Sequence, residues 1–141
     1  MDLGLKDKVA LVTGGSMGIG YAIARALSVE GAQVLIAARG KDRLEQAAAA
    51  IGAETGAEVT PVVADMTNTE DVRRFVATAM DRHRRVDILV NNAGAARGGL
   101  IENLTDEDWW GGLNLKFLGY VRMLRAVLPI MVRQGGGRVV N

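Results

Sequence analysis

Cysteine is absent from the 141 residues. That excludes disulfides and thiolate chemistry, and it fits a reducing compartment. Histidine occurs once, as His83, and no His/Cys/carboxylate cluster stands at ligand spacing, so no metal is expected. An excess of one charge is lacking too. Seventeen basic residues against sixteen acidic ones leave +1, which gives no reason to expect nucleic acid or an anionic membrane as partner. No apolar run approaches the roughly 18 residues of a spanning helix. Residues 1–8 carry Asp2, Lys6, Asp7 and Lys8 rather than an apolar signal core. Apolar residues make up 49% and charged residues 23%. The expectation is therefore a soluble, cytoplasmic chain forming one domain with a single core.

Strand and helix patterns alternate throughout. Residues 8–13 (KVALVT), 33–39 (QVLIAAR), 58–64 (EVTPVVA) and 86–90 (VDILV) read as strands, and 138–141 (RVVN) begins a fifth. Pro61 lacks an N–H, which puts the third strand at a sheet edge. Helical patterns cover about 19–30, 41–51 and 68–84, the last entered through Thr67, Asn68 and Thr69, all able to cap. Thr105 and Asp108 have capping-box spacing and open a long helix to about residue 133, ended by Gly135, Gly136 and Gly137. Pro129 should kink or end that helix. Repeated β-α-β units imply a parallel sheet with helices on both faces.

The strongest motif is Thr13-Gly14-Gly15-Ser16-Met17-Gly18-Ile19-Gly20, which follows a strand and opens a helix. Gly14 suits a tight turn, Gly18 a close backbone approach to a diphosphate, and Gly20 close helix–strand packing. Free N–H groups at the helix start would face the phosphates, where the helix dipole favours negative charge. The three residues between Gly14 and Gly18 differ from the G-x-G-x-x-G spacing, and no Lys-Ser/Thr pair follows to make a P-loop. The plain alternative is a turn that only joins strand to helix.

Thr13 to Gly20 resembles the TGxxxGxG signature of the short-chain dehydrogenase/reductases. Asn91-Asn92-Ala93-Gly94 is similar to their NNAG signature, and Asp65 to their adenine-contacting acid. The resemblance implies a Rossmann-type, doubly wound α/β fold with a seven-stranded sheet in the order 3-2-1-4-5-6-7. Residues 1–141 would supply five strands, ordered 3-2-1-4-5, as a single dinucleotide-binding domain incomplete at its C-terminus. It further implies that Gly14, Ser16, Met17, Gly18, Ile19 and Gly20 hold the diphosphate. Asp65 and Met66 would meet the adenine, and Asn92, Ala93 and Gly94 would line the adenine-ribose side. Asp65 can instead serve as a local turn or helix cap. The Asn-rich turn can also tie strand four to its neighbours.

The acid that binds the ribose 2′-OH in NAD-selecting folds stands about 20 residues past the glycine motif. Here the second strand ends Ala37-Ala38-Arg39-Gly40, and the next acid is Asp42. Arg39 can grip a 2′-phosphate by two charge-assisted hydrogen bonds, with Lys41 assisting. In the family an Ala-Arg pair here implies NADP(H), which is expected over NAD(H). Many NADP-using relatives carry a basic residue where this chain has Met17. The alternative for Arg39 is a solvated strand-end charge.

By resemblance, the chemistry would need Asn, Ser, Tyr and Lys. The serine and the Tyr-x-x-x-Lys pair do not occur here: Tyr21 is followed four residues on by Arg25, and Tyr120 by Leu124. The family asparagine, counted from Trp109, Gly119 and Pro129, falls at Lys116 rather than Asn114. Two residues of offset turn a helical position by about 200°. The chain thus either replaces the family asparagine with Lys116, the favoured reading, its ammonium able to donate hydrogen bonds, or aligns with a local shift; the plain alternative for Lys116 is a surface lysine.

Other residues read more plainly. His83, within Arg82-His83-Arg84-Arg85, complements a helix C-terminus. Trp109 and Trp110 are expected to pack the start of the long helix. Leu124, Val127, Leu128 and Met131 suit either the core or a helix–helix interface, since relatives use this helix in homo-oligomers. Without strands six and seven, apolar faces would lose their cover and stability would be marginal. Two functions remain. One is an NADP(H)-dependent oxidoreductase acting on a small carbonyl or alcohol, with these residues supplying dinucleotide binding but no turnover. The other is a non-catalytic dinucleotide-binding or subunit-pairing module.

Overall fold

The computed structural model describes all 141 residues. Five strands, β1 (Val9–Thr13), β2 (Gln33–Ala38), β3 (Val59–Val63), β4 (Ile88–Val90) and β5 (Arg138–Val140), alternate with helices. The helices are α1 (Gly18–Val29), α2 (Lys41–Thr55), α3 (Thr69–His83), α4 (Asp106–Gly112) and α5 (Leu118–Gln134). The sheet is parallel throughout and ordered β3-β2-β1-β4-β5. This is the doubly wound, Rossmann-type arrangement. β3 lies at the edge, where the missing N–H of Pro61 is tolerated.

Strand parity builds two cores. Val9 and Leu11 of β1, Leu35 and Ala37 of β2 and Leu89 of β4 face one side. There they pack against Val72, Phe75, Val76 and Ala79 of α3 and Met123, Val127, Ile130 and Met131 of α5. Ala10, Val12, Val34, Ile36, Ile88 and Val90 face the other side, against Ala24 of α1 and Leu44, Ala47, Ala48 and Ile51 of α2. Period two in the strands and i, i+3, i+4, i+7 spacing in α2 and α3 are what this sandwich requires.

At the far edge the cover stops. All three residues of β5 are exposed, and so are Phe117, Leu128 and Val132. Leu124, Val127 and Met131 go to the core while Leu128 faces outward.

The long helix departs from its sequence pattern in three ways. Leu113–Phe117 forms a π-helical turn between α4 and α5. Pro129 lies inside α5 without ending it. It sits on the exposed side, and so does Arg125, whose carbonyl loses its usual donor. Trp109 and Trp110 are 50% and 67% exposed, so they do not pack the helix start. The capping box at Thr105 and Asp108 forms as expected, Asn68 alone caps α3, and α2 runs a turn longer than its pattern suggested.

Asp87 fastens the bottom of the sheet. Its carboxylate accepts from the Val9 N–H at 2.9 Å and from Arg85 at 2.6 and 2.7 Å. Burial pushes this carboxyl up, but Arg85 and the Val9 N–H outweigh it, so its pKa lies below the ordinary range. A depressed native pKa stabilises the fold fully above about pH 4 and ceases to do so as pH falls through the native value. Asp87→Asn should therefore lower stability at pH 7 by roughly 2 kcal/mol. The deficit relative to the parent should shrink on acidification below pH 4, read by urea unfolding. A deficit that grows at low pH would contradict this linkage.

Candidate functional site

Every strand of a parallel sheet delivers its C-terminal end to one rim, and a crevice opens where the strand order reverses, here between β1 and β4. A groove of about 1200 Å³ lies along that rim. Its walls come from the segments after β1, β2, β3 and β4, the tip of β5, and the π turn.

The glycine turn forms one wall. Gly14, Ser16, Met17 and Ile19 line the groove; Gly18 and Gly20 do not, although they shape it. A side chain on Gly20 would run into the Gly14 carbonyl oxygen and the Asn92 amide. Bare Cα here lets α1 start directly against the turn. Gly18 has φ +55°, and nothing lies within 4 Å of where its Cβ would be. The N-cap, Met17, offers no side-chain hydrogen bond, and the first turn of α1 has no acid. The N–H groups of Ser16, Met17, Gly18, Ile19 and Gly20 have no protein acceptor. A run of unpaired donors at the positive end of a helix, with no Cβ at Gly18, suits a diphosphate.

Asn92 locks the turn to β4. Its side-chain amide donates to the carbonyls of Thr13 and Gly14 at 3.1 and 3.2 Å. The N–H groups of Asn92 and Ala93 both donate to Thr13 Oγ1 at 3.0 Å. The structural tie anticipated for this turn is therefore present, while Asn92, Ala93 and Gly94 also line the groove. Asn91 is buried. It donates to Asn141 Oδ1 at 2.8 Å, and its own Oδ1 has no partner.

Arg39 lines the groove at the end of β2, exposed and without a carboxylate partner. Asp65 and Met66 line it after β3. Asp65 Oδ1 accepts from the N–H and hydroxyl of Thr67, both at 2.8 Å, so the local-turn reading holds for that oxygen. The Asp65 N–H in turn donates to Asp71, whose carboxyl is held below its ordinary pKa chiefly by that bond, with Arg74 assisting. The loop presenting Asp65 is thus fixed from both sides.

The π turn separates Asn114 from Lys116. Asn114 Oδ1 accepts from Arg122 at 2.6 Å, and Arg122 also donates to the carbonyls of Asn114 and Met66. Asn114 is not part of the groove wall. Lys116 is, with its stem 3.5 Å from where a Cβ on Gly94 would sit. Leu115 and Tyr120 join it. The sequence reading had no signal for Arg43, Leu115 and Tyr120 as wall residues. Their membership depends on how α2 and the π turn sit against the rim.

Fold and rim groove define a Rossmann-type α/β protein with a groove at the topological switch point. Residues 8–141 match the family described as short chain dehydrogenase, and the chain belongs to that family. It is 42% identical over 137 residues to dehydrogenase/reductase SDR family member 4 of Homo sapiens, covering 96% of this chain and 49% of that protein. Identity to the 3-oxoacyl-[acyl-carrier-protein] reductase of Synechocystis is 36%, covering 97% and 56%. Among solved structures, L-sorbose reductase from Gluconobacter frateurii complexed with NADPH and L-sorbose superposes with a TM-score of 0.93 at 38% identity. That match covers 99% of this chain and 53% of that one. The alcohol dehydrogenase of Thermococcus sibiricus complexed with 5-hydroxy-NADP gives 0.87 at 38%, covering 95% and 57%. The chain spans about half the length of the curated relatives it matches. No helix is long and apolar enough to cross a membrane.

Proposed function

We propose that this chain binds a nicotinamide dinucleotide, NADP(H) in preference to NAD(H), as the cofactor-holding part of an oxidoreductase that interconverts a small carbonyl compound and its alcohol. The observation that carries the reading is the run of unpaired amides from Ser16 to Gly20 at the open corner of α1, with unpaired Arg39 at the end of the neighbouring strand. The amides would hold the diphosphate. Asp65 Oδ2 and the Met66 N–H have no protein partner and would meet the adenine. Asn92, Ala93 and Gly94 would form the wall beside the ribose. Arg39 would pair with the 2′-phosphate, the group that distinguishes the two cofactors. The NADPH and 5-hydroxy-NADP named for the two solved relatives support this preference.

When bound, the nicotinamide supplies or accepts the hydride. Lys116, which register counting puts at the position of the family asparagine, would offer an ammonium donor at the π-turn end of the groove, which Tyr120 and Asn141 also line. The 141 residues contain no Tyr-x-x-x-Lys pair. Without a general acid at the nicotinamide they are expected to bind cofactor and not turn over.

Titration by nucleotide fluorescence tests the reading. NADPH should bind at least about tenfold more tightly than NADH, a difference of roughly 1.4 kcal/mol. Equal affinities would reject the 2′-phosphate assignment. Binding of neither would reject the dinucleotide reading, and steady NADPH-dependent carbonyl reduction by these residues would show that a general acid has been overlooked.

A further inference from the structure

The groove wall holds a cation whose position the family signature does not specify. Arg43, the third residue of α2, reaches across to the start of α1, where its Nη1 lies 3.2 Å from Met17 Sδ. A thioether is a weak acceptor, so this contact leaves the guanidinium short of partners. No carboxylate pairs with it. The reason lies in the helix: residues three and four further on are Gln46 and Ala47, and the adjacent Asp42 does not share its face. Lys41 differs, because Glu45 stands at i+4 with its oxygen 3.9 Å from the ammonium. Of the three cations that the end of β2 and the start of α2 give to the groove, Arg39 and Arg43 are therefore the two with no carboxylate within 4.0 Å.

We propose that Arg43 is the second jaw of the 2′-phosphate site, gripping the phosphate together with Arg39 from the opposite side, over the Met17 side chain. The inference rests on the NADP(H) reading above. Arg39 approaches from the end of β2 and Arg43 from the first turn of α2, so a phosphate monoester between them meets two planar donor forks. Met17, an apolar residue at the α1 N-cap, supplies no charge of its own. Its sulfur instead parks Arg43 over the groove until an anion, a far better acceptor, takes its place. Asp42 is the one carboxylate on this stretch of wall, and it lowers the surplus of positive charge without pairing either arginine.

The test is Arg43→Gln in this chain, titrated with NADPH and NADH beside the parent. Arg43 is exposed and bonded to nothing but a sulfur, so the variant should melt as the parent does. The dissociation constant for NADPH should rise roughly ten- to thirtyfold, as expected for loss of a hydrogen-bonded charge, while that for NADH stays within about twofold. Affinity for 2′,5′-ADP should fall alongside, and affinity for ADP should not. A parent that prefers NADPH and a variant that keeps the preference, or loses both nucleotides equally, would overturn the role of Arg43 and leave the NADP(H) reading standing. A parent with no preference would overturn that reading and this inference with it.

Discussion

Gly20→Ala is expected to cost roughly 3 kcal/mol of stability and lower the melting temperature by about 10 °C. The added methyl has nowhere to go. On one side is the Gly14 carbonyl oxygen, on the other the Asn92 amide that holds the turn to β4. Backbone cannot rotate aside as a side chain does, so either α1 tilts away from the turn or Asn92 releases its two carbonyls. Both movements would also disperse the unpaired amides, and NADPH affinity should fall with stability. Gly18→Ala is the instructive contrast. Its methyl would meet nothing within 4 Å, and the φ of +55° alone should cost about 1–2 kcal/mol. A melt of Gly20→Ala equal to the parent's would mean that α1 does not depend on its contact with Gly14.

Arg39→Gln is expected to weaken NADPH binding roughly 30- to 100-fold and to leave NADH nearly unchanged. The guanidinium stands alone at the end of β2, with no carboxylate to compete for it. On the proposed reading Arg39 pairs with the 2′-phosphate, a group that NADH lacks. Lys41→Gln should have a smaller effect, since Glu45 already shares that ammonium. The Arg39 effect should diminish as salt is raised, because the site is exposed and screened. Isothermal titration at two salt concentrations would read both trends. Equal loss of NADPH and NADH would turn Arg39 into a structural residue and remove the basis for cofactor preference.

Much of the fold was legible in local patterns. Short, nearly continuous apolar runs marked the strands, and Pro61 placed β3 at an edge. The tandem glycines and the Asn-Asn-Ala-Gly turn each named one side of the groove, because backbone conformation and close approach constrain residue type at those points. The π turn was not legible. One extra residue in a helix leaves apolar spacing almost intact; within this turn Asn114 meets Arg122 and Lys116 lines the groove. Pro129 does not end α5, because the carbonyl it deprives belongs to a residue facing water. The exposure of Trp109 and Trp110 was also hidden, since helical spacing does not say whether a neighbour exists to cover them.

Taken alone, the chain's order of residues determined its βα alternation, the helix and strand faces that enter the core, and the glycine-shaped start of α1. These follow from interactions within a few residues. Only the tertiary structure decided that Arg43 meets Met17, that Asn92 clasps Thr13 and Gly14, and that Asn114 accepts from Arg122. Those pairings join residues on different turns, and side chains distant along the chain become neighbours only once parallel strands bring their C-terminal ends to a common rim.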